Sequence, residues 1–162
     1  MPIDLLPAPA PTDAAPTDPQ AVTEAFLAAL MDSDLDAAID LLDPDVHYVN
    51  VGLPPIDGAE KVRQAFKGLT RPDVSFEVYL HAISAEGPVV LTERTDVIVL
   101  GPLRLQFWVM GRFDVHDGRI TLWRDGFDVG DILKSVGRGL LGIVVPGMRP
   151  AAPRSLDDAP GR

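Results

Sequence analysis

The 162-residue chain has no cysteine. That excludes a disulfide framework and thiolate catalysis, and it fits a reducing, cytoplasmic setting. Basic residues are scarce: 14 Lys and Arg against 24 Asp and Glu leave a formal net charge of -10. Such a surface repels phosphate backbones, so no nucleic-acid partner is expected. No apolar run approaches the roughly 20 residues needed to span a bilayer. The first residues, Met1-Pro2-Ile3-Asp4-Leu5-Leu6-Pro7, lack a basic segment followed by a long apolar one, which does not read as a signal peptide. The histidines, His47, His81 and His116, show neither HExxH nor clustered metal-ligand spacing, and there is no glycine-rich phosphate loop. No metal or other cofactor is expected.

What is present is enough apolar sequence, 46%, for one domain with a real core. Residues 1–18, rich in Pro, Ala, Thr and Asp, read as a disordered leader, and 147–162 as a disordered tail. The folded part is 19–146. Asp18 as N-cap and Pro19 at the first position open a helix carrying Val22, Phe26, Leu27 and Leu30 at helical spacing. Further helices are predicted over about 34–42 and, capped by Asp57, from about 59 to 68. Between them Val46–Val51 reads as a short strand. The pattern then switches to period two over 75–83, 89–100, 105–115 and 119–127, with turns at Gly101-Pro102 and Asp117-Gly118. A last helical segment, about 129–145, contains four glycines, which argue against its continuity. Helices first and strands after indicate an α+β fold.

The strand 89–100 carries Arg94 and Asp96, which share a face because strand side chains alternate. Buried charge is costly unless paired. By itself the pair reads equally as a structural ion pair or a catalytic one. Tyr48 and Asn50 likewise share a face. The Asp117-Gly118 turn decides a third contribution. A bulge at Gly118, pairing Val115 with Arg119, would gather Phe107, Val109, Phe113 and Val115 with Trp123, Asp125 and Phe127 on one apolar face; a two-residue turn would exchange the faces. The bulged turn is the preferred expectation, and it sets the Asp125 carboxylate among apolar side chains near Arg94. Three strand segments that each supply inward polar groups are not explained by stability alone. With no thiol, no Ser-His-Asp motif and no metal spacing, the chemistry left to these residues is general acid–base catalysis by two carboxylates with a bridging arginine.

Tyr48-Val49-Asn50, Glu93-Arg94-Thr95-Asp96 and Trp123-Arg124-Asp125-Gly126-Phe127-Asp128, in this order, resemble the limonene-1,2-epoxide hydrolases. These are members of a cone-shaped α+β superfamily with nuclear transport factor 2, ketosteroid isomerase and polyketide cyclases. The resemblance covers about residues 19–135. It implies a cone-shaped, barrel-like fold: a strongly curved mixed β-sheet wrapped around a deep apolar pocket, with three to four helices. It also implies hydrolysis of an epoxide to a vicinal diol in one step. In that scheme Asp125 is the base, Tyr48 and Asn50 hold the water, Asp96 is the acid and Arg94 bridges the carboxylates. Phe107, Val109, Ile98, Phe127 and Trp123 are expected to shape an apolar substrate site, which argues for a small lipophilic epoxide. An isomerase or cyclase, or a non-catalytic ligand-binding module, are the alternatives on the same scaffold. Trp108, Met110 and Leu122 would lie on the opposite face of the hairpin. They would be covered by a second copy of the chain, making a homodimer, or by the last helix.

Overall fold

A computed structural model describes residues 17–145, 147 and 151–153. Most of the expected leader and tail lies outside the described residues. The elements run α1 (Pro19–Met31), α2 (Leu35–Asp40), β1 (Leu42–Asn50), β2 (Ile56–Asp57), α3 (Ala59–Phe66), β3 (Val74–Glu86), β4 (Val89–Leu100), β5 (Leu103–His116), β6 (Arg119–Gly126) and α4 (Val129–Val144). The α+β class and four helices agree with the sequence reading.

Asp18 caps α1 by accepting from the Ala21 N–H at 3.0 Å, ahead of Pro19. Asp57 does not cap α3. It sits in β2 opposite His47, and Gly58 occupies the cap position without a side-chain hydrogen bond. The four glycines do not break α4, which runs as one helix to Val144. One of them has a packing reason: a Cβ at Gly139 would come within 2.8 Å of Leu103 Cδ1 and 2.9 Å of the Arg104 carbonyl.

The six strands form one mixed sheet in the order β2-β1-β6-β5-β4-β3. Among the described residues only β1 and β6 run parallel; every other pair is antiparallel. The expected cone-shaped, barrel-like fold is not found: the sheet is neither strongly curved nor closed. The sheet is open, because its edge strands β2 and β3 do not pair with each other. The physical reason lies at the β2 edge. That strand has two residues, pairing only His47 with Asp57 and Tyr48 with Ile56, and so it offers no ladder for further strands.

The hairpin between β5 and β6 departs from the expected turn while keeping the expected faces. Asp117 and Gly118, at φ 50° and 74°, form a two-residue turn that pairs His116 with Arg119. Val115 then pairs with Ile120, but Asp114 pairs with Leu122, so Thr121 is an extra residue on β6. Its hydroxyl donates to the Asp114 carbonyl at 3.1 Å. This bulge shifts the alternation by one, which is why Phe113 lies opposite Trp123 and Gly111 opposite Asp125 despite the tight turn. The core forms on this inner face. Val22, Phe26 and Leu27 of α1 pack with Val78, Val90, Phe113 and Trp123, the Phe26 and Trp123 rings meeting edge to face at 4.9 Å.

Candidate active site

The inner face of the sheet carries the polar cluster. β4 pairs Arg94 with Val109 and Asp96 with Phe107 on β5, while β1 and β6 bring Tyr48 beside Trp123 and Asn50 beside Asp125. Arg94 is 1% exposed, Asp96 4%, Asp125 5% and Tyr48 5%. A full guanidinium charge at that depth requires compensation. It is supplied on both sides: Arg94 Nε donates to Asp96 Oδ1 at 2.9 Å, and Nη2 donates to Asp125 Oδ2 at 2.7 Å. The third nitrogen, Nη1, donates to Thr92 Oγ1 at 3.1 Å. The Arg94 carbon Cζ also lies 5.9 Å from the centre of the Phe113 ring.

One cation between two buried carboxylates cannot keep both ionised cheaply. Burial pushes Asp96 up to about 6, with the Asp125 charge acting the same way against the opposing pull of Arg94. Burial alone would lower the Arg94 pKa, but the two carboxylates reverse that and hold it fully charged. Burial, and then the Asp125 charge, raises the Tyr48 phenol, keeping it neutral. Its oxygen accepts from Asn50 Nδ2 at 2.5 Å, so its own proton remains available to a third group. Asp125 Oδ1 is buried with no hydrogen-bond partner. The cluster therefore holds a shared cation, a carboxyl group near neutrality, and a carboxylate with one unused oxygen.

The apolar residues expected to line a substrate site lie in different settings around the cluster. Phe107 and Phe127 meet edge to face at 6.1 Å and stay partly exposed. Val109 is buried opposite Arg94. Ile98 lines a cavity of about 420 Å³ with Phe66, Leu69 and Val74. Trp123 belongs to the core, its ring 4.0 Å from that of Tyr48 and 5.2 Å from that of Phe66. The sequence reading did not single out Thr92 or Gly111. Thr92 is two residues from Arg94, so alternation alone places it on this face. Gly111 leaves no such trace, since its place beside Arg94 depends on the register of β4 against β5. The histidines lie elsewhere: His47 meets Asp57 at 2.5 Å, His81 meets Thr95 at 2.8 Å, and His116 stands at the turn. Among the described residues no three His, Asp or Glu side chains are grouped to hold a metal ion.

The model of the limonene-1,2-epoxide hydrolase catalytic domain matches residues 17–138. The chain belongs to this family. It is 49% identical over 126 residues to the epoxide hydrolase EphG of Mycobacterium tuberculosis, covering 78% of this chain and 84% of that protein. A solved structure of an M. tuberculosis epoxide hydrolase like those of the limonene-1,2-epoxide hydrolase family superposes with a TM-score of 0.78. It is 46% identical and covers 84% of this chain and 96% of its own. A putative ketosteroid isomerase from Kribbella flavida shares the fold alone, at 20% identity and a TM-score of 0.55 over 68% of this chain and 77% of its own.

Proposed function

We propose that this family member is an epoxide hydrolase that adds water to a small lipophilic epoxide in one general acid–base step. The observation that carries the mechanism is the bridging of Asp96 and Asp125 by a single buried Arg94. Asp125 Oδ1, unpartnered in the cluster, takes a proton from water. Tyr48 and Asn50 hold that water, Tyr48 through the proton its bond to Asn50 leaves free. The water oxygen attacks an epoxide carbon, the strained carbon–oxygen bond breaks, and Asp96 gives its proton to the departing oxygen. The product is a vicinal diol. Asp125 then holds a proton and Asp96 has lost one, and exchange with solvent restores the pair. Ring strain makes a covalent enzyme intermediate unnecessary. Arg94 favours this scheme over an isomerase or cyclase, because a protonated acid beside an ionised base suits protonation of a leaving oxygen. Phe107, Val109, Phe127 and Ile98 would supply the apolar contacts.

The test is diol formation from cyclic, terpenoid and steroidal epoxides by the full-length protein. Diol from at least one lipophilic epoxide, lost in Asp125→Asn, is expected. Isomerised ketone or allylic alcohol in place of diol would contradict the assignment. Among the described residues no helix is long and apolar enough to cross a membrane, and the proposed location is the cytoplasm.

The outer face of the sheet supports a homodimer. Leu91 and Met110 are 50% and 47% exposed there, and α4 leaves Met110 uncovered. A second copy would cover them. Sedimentation of a dimer, and of a monomer for Met110→Lys, is the expected result; a monomeric wild type at micromolar concentration would contradict it.

A further inference from the structure

Arg94 is the largest fully buried side chain in the described part of the molecule. Its guanidinium is planar, so fixing one N–H direction aims the others. Two of its directions end on Asp96 and Asp125, the groups assigned to the chemistry. The third ends on the neutral hydroxyl of Thr92, itself 1% exposed.

Thr92 pairs with Gly111 across β4 and β5, and Gly111 pairs with Asp125 across β5 and β6. One glycine is thus in register with both the anchor and the base. A Cβ at position 111 would overlap Arg94 Nη1, lie 2.5 Å from Thr92 Oγ1 and stand 3.2 Å from Asp125 Oδ1. The backbone there is ordinary strand, which any residue adopts, and a glycine inside a strand weakens it. Space for the guanidinium is what requires the missing side chain. Arginine is flexible, but in this buried cluster every nitrogen is committed, so it cannot move aside without breaking a bond to a carboxylate or to Thr92.

We propose that Thr92 and Gly111 are positioning residues for the hydrolysis: together they aim the Arg94 guanidinium so that Nε serves Asp96 and Nη2 serves Asp125. Thr92 anchors the nitrogen that neither carboxylate uses, and Gly111 leaves the notch in which it rests. This rests on the acid–base relay proposed above. Neither residue touches the reacting atoms in that scheme. They act by dividing one cation between the acid and the base.

The experiment uses the full-length protein, with limonene-1,2-epoxide as the kinetic probe and the ¹³C signal of the Asp96 carboxyl as a probe that needs no turnover. Thr92→Val keeps the side-chain shape and removes the acceptor. Its kcat should fall about tenfold with KM little changed, the scale of one hydrogen bond to a charged group. The Asp96 titration midpoint should rise, since a guanidinium no longer held against it stabilises the ionised form less. Thr92→Ser should restore both. Gly111→Ala should move both in the same direction and further; if it does not fold, the two Thr92 variants carry the test. An Asp96 midpoint unmoved in Thr92→Val, even with a lower melting temperature, overturns the proposal and leaves the relay standing. Wild-type rates in both Asp96→Asn and Asp125→Asn would remove the relay, and the positioning role with it.

Discussion

The two faces of the sheet carry the same chemical parts and put them in opposite states. On the outer face Arg104 donates to both oxygens of Glu77, at 3.1 and 2.9 Å, and Tyr79 donates to the same carboxylate at 2.7 Å. The Arg104 and Glu77 side chains remain 20% and 29% exposed. Burial pushes Glu77 up, but the hydrogen bonds from Arg104 and Tyr79 outweigh it, and the net direction is down. On the inner face a tyrosine and an arginine accompany two carboxylates instead of one, and the Arg94, Asp96 and Asp125 side chains are 1%, 6% and 7% exposed. There burial prevails and Asp96 rises to about 6. One cation per carboxylate near water makes a structural ion pair. One cation for two carboxylates away from water leaves Asp96 easier to protonate, the state that the proposed acid needs.

The sharpest way to break this comparison is to remove one carboxylate from each face. Asp96→Asn and Asp125→Asn should each lower kcat by about 10²–10⁴-fold with the fold intact by circular dichroism, while Glu77→Gln should change kcat less than about threefold. Equal losses from both faces would show that activity tracks general stability. Removing the cations comes next. Arg94→Ala strands two buried carboxylates and should cost about 3–5 kcal/mol in urea unfolding. Arg104→Ala breaks a pair nearer the surface and should cost only about 1 kcal/mol.

A third contrast is in pH dependence, and the signs are opposite. Asp96 has a folded-state pKa raised from an ordinary 3.8 to about 6, so the stability tied to its proton is complete below 3.8 and is lost as pH rises to about 6. Glu77 is lowered, so its contribution is present above the ordinary value of 4.5 and is lost as pH falls below it. Melting curves of Asp96→Asn should therefore lack the decline between pH 4 and 6 expected of the wild type. Those of Glu77→Gln should lose the decline on the acid side. The same Asp96 proton predicts that kcat/KM falls as pH rises past about 6. Glu77→Gln should leave that limb in place. The smallest effect concerns the outer face alone: Tyr79→Phe should raise the Glu77 titration midpoint slightly and leave turnover unchanged.

Local rules carried the sequence reading well within single strands and less well between them. Alternation placed Arg94 with Asp96 and Tyr48 with Asn50, and four strands, α1 and the extent of α4 follow the apolar period. The face of Asp125 was legible for the wrong reason. The expected bulge at Gly118 and the observed tight turn with Thr121 as the extra residue both shift the alternation by one. Thr92 could have been found from spacing alone. Gly111 could not, because a glycine's meaning depends on which atoms the neighbouring strands aim at it. The openness of the sheet was also out of reach, since closure depends on how few residues pair at β2, and no local period encodes that.

In the proposed hydrolysis water, not an enzyme carboxylate, attacks the epoxide. A single turnover in ¹⁸O-water, with enzyme in excess over the epoxide, tests this directly. The relay predicts one labelled oxygen in the diol and no label in the peptides containing Asp96 or Asp125. Label in either aspartate would reveal an ester intermediate and contradict the one-step scheme.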